Sequence, residues 1–245
     1  MVNEPIASAS SGPESLPDRR SQVVAIAILS MGIAVIAAAS DAFFDFAAQI
    51  KANNPLIRQL DQGVHDWCVT HRNNAENIFF VIITTLGSPL ILSVVTSIVV
   101  IVKWRRHRRG TALFLALATA GGYGINLALK RHYARARPLL TQAVQGAHGY
   151  SFPSGHAIGS AVVLGALAYL IIRGKHELHI KVLSVVLAVL LLVAVCWSRV
   201  YLGVHWLTDV IAGTGLGAVW LLAAILAQEI GRWTRRLRSG HRLTR

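Results

Sequence analysis

The chain has 245 residues, of which 54% are hydrophobic and only 14% are charged. Soluble domains usually carry about 25% charged residues, so the composition argues against a soluble enzyme and favours a membrane protein. The formal net charge of +13 would suit a nucleic-acid partner, but no zinc-finger or RNA-binding motif accompanies it. We therefore expect no nucleic-acid partner.

Six apolar windows follow one another along the chain, and spanning a bilayer takes about 20 residues. The windows are residues 23–40, 78–102, 111–129, 157–172, 182–197 and 207–230. The first ends in a small-residue run typical of a signal-peptide cleavage site, but the long polar segment of mixed charge before it favours a retained span. The sequence predicts an all-α, polytopic membrane protein with a six-transmembrane helix bundle.

The distribution of basic residues predicts the topology and the domain boundaries. Six spans place both termini on one side, and most of the 24 Lys and Arg residues fall on that side. An excess of Lys and Arg marks the cytoplasmic face. We expect residues 1–22 to be a disordered cytoplasmic tail, 23–230 the transmembrane domain and 231–245 a basic cytoplasmic tail. The composition indicates no oligomeric state.

Three polar clusters fall on the opposite, extracytoplasmic side, at residues 130–138, 151–156 and 198–209. The first cluster holds Lys130, Arg131, Arg135 and Arg137, which runs against the positive-inside rule. A bound anion would balance this charge. A simpler interpretation of Arg131 and Arg135 is that they snorkel to lipid phosphates.

The first two clusters suit a phosphate group. Pro138 biases Arg137 away from helical geometry, so Lys130 can end the third span while Arg137 turns back into the same site. Arginine offers a planar fork that matches two phosphate oxygens. Ser154 and Gly155 stand where the fourth span begins, and a helix N-terminus with its unpaired N–H groups attracts anions.

The third cluster supplies a candidate nucleophile. His205 and Asp209 are four residues apart, so they share a face if the sixth helix begins near His205. A carboxylate on one ring nitrogen fixes the tautomer and leaves the other nitrogen available for attack. Arg199 supplies a further fork for an anion.

Two further features leave alternatives open. Asn126 lies four residues before Lys130, so it either orients that amine or packs between helices. Cys68 and Cys196 both fall near the extracytoplasmic side, where they form either a disulfide or two separate thiols.

Together the three clusters resemble the type-2 phosphatidic acid phosphatase family, which shares its site with vanadium haloperoxidases. The family pattern is Lys, six residues, Arg-Pro; then Pro-Ser-Gly-His; then Ser-Arg, five residues, His, three residues, Asp. This chain matches it at Lys130 to Pro138, Pro153 to His156 and Ser198 to Asp209. The resemblance covers residues 78–228.

The resemblance implies a function and a set of roles. His205 would attack phosphorus and form a phosphohistidine, Asp209 would orient it, and His156 would be the general acid. The phosphate would be held by Lys130, Arg137, Ser154, Gly155 and Arg199. No metal or other cofactor would be needed. We expect the substrate to be a lipid phosphate or diphosphate, such as phosphatidylglycerophosphate, phosphatidate, undecaprenyl diphosphate or a lipid A phosphate. Cleavage would take place on the extracytoplasmic side of the cytoplasmic (inner) membrane.

Three alternatives remain at this point. A phosphotransferase would pass the phosphoryl group from the same intermediate to a second lipid or a sugar. A haloperoxidase would hold vanadate in the same site. A non-enzymatic membrane protein would use the basic residues only to bind an anion or a lipid.

Overall fold

The computed structural model describes residues 19–139, 143–144 and 146–242, with side chains from residue 22 to residue 235 inside these ranges. Residues 1–18 of the predicted disordered tail therefore lie outside the described residues, whereas residues 19–22, predicted as the end of that tail, are the helical start of the first span. The described segments form eight α-helices. They are α1 (Arg19–Lys51), α2 (Pro55–His71), α3 (Asn74–Leu86), α4 (Pro89–Arg105), α5 (Arg109–Tyr133), α6 (Gly155–Ile172), α7 (Leu178–Tyr201) and α8 (Leu207–Arg242).

Six segments of the described chain are long and apolar enough to span a membrane, which confirms the predicted number of spans. They are 22–51, 74–105, 109–133, 155–172, 178–201 and 207–235. Helix α8 continues to Arg242 without a break at residue 231, where the sequence predicts the start of a separate tail. Helix α2 was not predicted, because it is rich in polar residues and its apolar residues occupy only one face.

The second span is two helices, α3 and α4, rather than the one apolar window of the sequence. Ser88 caps α4 by accepting the Ile91 N–H at 3.3 Å, and Pro89 occupies the first turn, a position where its missing N–H costs nothing. Gly87 lies so close to α7 that an added Cβ would be 2.3 Å from a methyl carbon of Val195. The break therefore lets the chain approach α6 and α7 closely.

Helix α6 is the centre of the bundle and packs against α4, α5, α7 and α8. Its buried residues are mostly small or β-branched: Ala157, Ile158, Gly159, Ser160, Ala161, Val162, Val163, Ala166 and Ala168. Gly213 and Gly217 of α8 face it, and a Cβ on Gly213 would lie 2.8 Å from the Ser154 carbonyl oxygen. Small residues at a helix interface let two backbones approach, and here they hold the start of α8 against the start of α6.

The other end of the α6–α8 pair is fixed by polar contacts. The Tyr169 hydroxyl donates to Glu229, and Arg173 and Arg232 each form an ion pair with the same carboxylate at 3.3 Å. Both ends of the central helix pair are thus held, which keeps the site-forming end of α6 in a fixed position relative to α8.

We expect Gly217→Ala to destabilise the protein although alanine is the better helix former. Its Cβ would lie 2.8 Å from the Ala161 Cβ and 3.0 Å from the Ile158 carbonyl oxygen, and overpacking costs about 1–3 kcal/mol. Gly215→Ala on the same helix is the matched control, because among the described residues no atom lies within 4 Å of its added Cβ. Melting of the purified protein in detergent measures the difference; an equal Tm for the two variants would contradict the packing role of Gly217.

Candidate active site

The eight residues singled out in the sequence meet at one end of the bundle. They come from the end of α5, the loop after it, the start of α6, the end of α7 and the start of α8. His156 lies within electrostatic range of Arg199, His205, Arg137 and Lys130. The full set is Lys130, Arg137, Ser154, Gly155, His156, Arg199, His205 and Asp209. We call this cluster the polar site.

Lys130 reaches the polar site from the last turn of α5. The helix ends at Ala134, which adopts a left-handed conformation with φ of 45° and turns the chain back over the bundle. The Lys130 ammonium donates to the carbonyl oxygens of Tyr150 at 2.5 Å and Ser151 at 3.4 Å. The ammonium is therefore positioned by the loop that leads into α6.

Arg137 is held in the same manner by backbone oxygens. Its guanidinium donates to the carbonyls of Gly149 at 2.9 Å, Tyr150 at 3.2 Å and Val204 at 2.5 Å. Burial lowers the pKa of this guanidinium, and nearby Asp209 opposes that shift. In the described ranges neither Lys130 nor Arg137 forms an ion pair with a carboxylate. Both keep a positive charge that no described acidic side chain neutralises by direct contact.

The start of α6 offers hydrogen-bond donors next to these cations. Ser154 is the N-cap residue, but its hydroxyl makes no capping bond. This hydroxyl is buried and has no hydrogen-bond partner in the described part of the chain. An unpaired buried hydroxyl is unfavourable, so the polar site contains a donor available to a ligand.

Of the two alternatives for Asn126, the structure supports packing and not the orientation of the Lys130 amine. Its side-chain amide donates to the Pro153 carbonyl at 3.2 Å, and its oxygen would lie 3.0 Å from a Cβ on Gly155. The described hydrogen bonds of Lys130 go to the loop carbonyls and not to this amide. Asn126 therefore links α5 to the loop that leads into α6 and leaves little room for a side chain at position 155.

A tight turn after α7 brings the backbone of His205 into contact with the last turn of that helix. Gly203 has a φ of +76°, a conformation that favours glycine, and the Arg72 side chain would lie 2.7 Å from a Cβ there. The amide N–H groups of Val204 and His205 both donate to the Arg199 carbonyl at 3.2 Å. The Arg199 side chain donates to Thr84 of α3 at 2.7 Å.

The His205–Asp209 pair forms, but not by sharing a helix face. Helix α8 begins at Leu207, so His205 precedes it. Asp209 is the third residue of α8, and its carboxylate reaches back to accept the Trp206 N–H at 3.0 Å, the reciprocal half of a capping box. The same oxygen lies 3.3 Å from His205 Nδ1. The pair is therefore a product of helix capping.

The partners of His205 fix its tautomer. Nδ1 faces the Asp209 carboxylate, which only accepts, and Nε2 lies 3.3 Å from Arg137 Nη1, which only donates. Nδ1 therefore carries the proton and Nε2 the lone pair. Burial lowers the His205 pKa to about 4, with Arg137 and Arg199 adding to the shift and Asp209 opposing it. At neutral pH the ring is an uncharged base.

Two charged residues of this region were not assigned to the site from the sequence. Arg135 does not snorkel to lipid: its guanidinium donates to Asp209 at 2.6 Å and to Asp61 of α2 at 2.6 Å. The snorkelling interpretation of Arg135 was therefore wrong. The excess of basic residues in the first cluster was a sequence signal for Arg135, whereas Asp61 lies in no motif.

The structure also decides between the two alternatives for the cysteines, because Cys68 and Cys196 are free thiols.

Comparison with known proteins defines the family. The sequence model of the PAP2 superfamily matches residues 111–232. Phosphatidylglycerophosphatase B of Bacillus subtilis is 30% identical over 180 residues, which cover 71% of this chain and 85% of the relative. The chain belongs to the PAP2 superfamily. A putative undecaprenyl-diphosphatase of Escherichia coli, YbjG, is 41% identical over 38% of this chain and 43% of its own length.

A solved PAP2 structure has the same fold. The crystal structure of a transmembrane PAP2-type phosphatidylglycerolphosphate phosphatase from Bacillus subtilis superposes with a TM-score of 0.71 at 27% sequence identity. The match covers 77% of this chain and 93% of that structure. This PAP2 protein is thus a multi-pass membrane lipid phosphatase built on six spanning helices.

We expect Ser154→Ala to weaken inhibition by inorganic phosphate. A hydrogen bond to a charged group contributes about 1.5–3 kcal/mol, so the inhibition constant should rise about tenfold or more. Ser160→Ala is the control, because Ser160 also has a buried hydroxyl without a partner among the described residues but faces Gly87. Steady-state inhibition assays measure both constants. Equal values for Ser154→Ala and Ser160→Ala would show that Ser154 does not contact phosphate.

Proposed function

We propose that this protein removes the terminal phosphate of a lipid phosphate or diphosphate through a phosphohistidine formed on His205. The observation that carries the proposal is the state of the His205 ring, which is neutral, is oriented by Asp209, and has its unprotonated Nε2 3.3 Å from the Arg137 guanidinium. An anion-binding protein needs only the cations. A buried imidazole held in one tautomer by a carboxylate supports nucleophilic catalysis.

In the first step His205 Nε2 attacks phosphorus and the bond from phosphorus to the leaving oxygen breaks. The Asp209 carboxylate stabilises the positive charge that develops on the ring, because it accepts the Nδ1 proton in a hydrogen bond. In the second step a water oxygen attacks phosphorus, the phosphorus–nitrogen bond breaks, and inorganic phosphate leaves with His205 neutral again.

His156 is the proposed general acid and base. It lies at the start of α6 within electrostatic range of His205 and of the cations. As an acid it would protonate the leaving alkoxide or phosphate, and as a base it would then take a proton from the attacking water. One group serves both steps, since the first step leaves it deprotonated.

The remaining residues of the polar site form the proposed phosphate cradle. Lys130 and Arg137 are cations held by carbonyl oxygens, and Ser154 has a hydroxyl without a partner among the described residues. The Gly155 amide lies in the first turn of α6, where backbone N–H groups have no helical partner. With Arg199, these donors would hold the non-bridging oxygens and stabilise charge in the transition state.

The surroundings of the site favour a lipid substrate. An apolar cleft of about 330 Å³ lies between α7 and α8, the two helices that carry Arg199 and Asp209. It is lined by Leu192, Cys196, Trp197, Val200, Leu207 and Ile211, among others. A hydrocarbon chain would fit there while the headgroup enters the polar site. The names of the two relatives point to phosphatidylglycerophosphate or undecaprenyl diphosphate as the lipid.

The proposed location of the site is the extracytoplasmic face of the cytoplasmic membrane. At the end of the bundle opposite the polar site, basic residues lie at or near the ends of the spanning segments. They are Lys103, Arg105, Arg109, Arg173, Lys181, Arg232 and Arg235. The positive-inside rule assigns this end to the cytoplasm, which turns the polar site outward.

We expect the purified protein to release inorganic phosphate from at least one member of a lipid panel with chelator present. The panel comprises phosphatidylglycerophosphate, phosphatidate, undecaprenyl diphosphate and a lipid A phosphate. His205→Ala should abolish the release, because the nucleophile is removed. Near-normal turnover by His205→Ala would rule out the phosphohistidine, and loss of substrate without free phosphate would indicate transfer to another acceptor.

We expect His156→Ala to affect substrates according to their leaving group. A lipid alkoxide needs protonation as it leaves, whereas p-nitrophenolate is stable without it. General acid catalysis contributes about 10²–10⁴-fold, so kcat/KM, which covers the steps through departure of the leaving group, should fall by that factor on the lipid and by much less on p-nitrophenyl phosphate. Parallel steady-state assays on the two substrates make the comparison. An equal loss on both would contradict the acid role.

A further inference from the structure

We propose that Asp61 of α2 is a positioning residue that aligns the catalytic pair through Arg135 and Thr208. This inference rests on the proposed function, since it concerns how His205 and Asp209 are held. Asp61 lies in a helix outside the three sequence motifs. It is 2% exposed, and a buried carboxylate is unfavourable unless it is paired and hydrogen-bonded.

The contacts of Asp61 converge on the start of α8. One carboxylate oxygen accepts the Thr208 backbone N–H at 3.0 Å, and the other accepts the Thr208 hydroxyl at 2.6 Å. Thr208 is the second residue of α8, where a backbone N–H has no partner within the helix. Asp61 therefore caps α8 from a different helix, and an acidic group is favourable at that position.

Arg135 connects this cap to the catalytic pair. Its Nη2 donates to Asp61 at 2.6 Å and its Nη1 donates to Asp209 Oδ1 at 2.6 Å. With Oδ1 held by Arg135, the other oxygen of Asp209 faces His205 Nδ1 and also accepts from Ser151 and the Trp206 N–H. Arginine suits this bridge because its planar fork bonds two carboxylates at once.

The same contacts exclude a direct role in phosphate binding. Both oxygens of Asp61 face Thr208 and Arg135, and Arg135 is neutralised by two carboxylates. Loss of Asp61 should therefore reduce the rate of the chemical step and leave substrate affinity nearly unchanged. It should also leave Arg135 paired with Asp209 alone.

Removing the negative charge of Asp61 should lower the pKa of His205. The charged and titratable groups around the ring come from every element that meets at the site: Lys130 of α5, Arg135 and Arg137 of the following loop, His156 of α6, Arg199 of α7 and Asp209 of α8. Burial and the cations already lower the His205 pKa to about 4. Without Asp61 the local potential becomes more positive, so protonation of the ring becomes still less favourable.

The test compares Asp61→Asn with Asp66→Asn, a change to an exposed aspartate of the same helix. For Asp61→Asn we expect kcat to fall about 10- to 100-fold, by analogy with the carboxylates that orient metal-binding histidines, with KM within about twofold. The acid limb of the kcat/KM profile, which reports the free enzyme, should move to lower pH. Asp66→Asn should match the wild type in all three.

A double-mutant cycle with Arg135→Gln tests the route of the effect. If Asp61 acts through Arg135, Asp61→Asn should cost much less kcat in the Arg135→Gln background than in the wild type. Arg135→Lys is a second single variant: it keeps the charge but loses the fork, and it should lower kcat with little change in KM. Size-exclusion profiles and Tm identify variants that do not fold.

Each outcome bears on the proposal. Wild-type kcat in a folded Asp61→Asn or Arg135→Lys variant overturns it, as does an unmoved acid limb, which would indicate a purely structural role for Asp61. If the wild-type protein releases no phosphate from any lipid while Asp61→Asn remains folded, the proposed function has failed instead. These two failures are distinguishable because the first requires an active wild type.

Discussion

The arrangement of the polar site depends on one buried carboxylate. Asp209 is 0% exposed and accepts from Arg135, Ser151 and the Trp206 N–H while facing His205. A charge buried this deeply is tolerated only with a full set of partners. Because those partners come from the two ends of the α5–α6 connection and from the start of α8, satisfying Asp209 requires these parts of the chain to assemble together.

The cationic side chains near Asp209 have two kinds of partner, carboxylates and backbone carbonyl oxygens. Arg135 is paired with Asp61 and Asp209, so it stabilises the fold in the absence of any ligand. Lys130 and Arg137 are held by carbonyl oxygens, which orient them without neutralising them. A phosphate group would complete their pairing. Fixing unneutralised donors before the substrate arrives is the electrostatic preorganisation on which phosphoryl transfer relies.

The composition and the apolar windows predicted the number of spans and the membrane class, because the thickness of the bilayer requires long apolar helices. The same reasoning missed the break at Gly87–Ser88, since hydropathy does not distinguish one apolar helix from two joined by a short turn. It also missed α2, whose buried face carries Asp61, His65 and Cys68. Hydropathy windows do not detect such a helix, although its one-sided apolar pattern and its Asn54–Pro55 start are helix signals in the sequence.

For the site, the sequence by itself determined which side chains are available and where the chain turns. Pro138, the Ser154–Gly155 pair and the spacing from His205 to Asp209 indicated the cluster before any coordinates, because proline, glycine and helix starts constrain the backbone locally. Only the tertiary structure decided that Arg135 binds two carboxylates and that Asp61, 148 residues before Asp209 in the numbering, completes the network. A hydrogen bond between distant helices leaves no periodic signal in the sequence, since it depends on packing angles and burial that arise only when the helices meet.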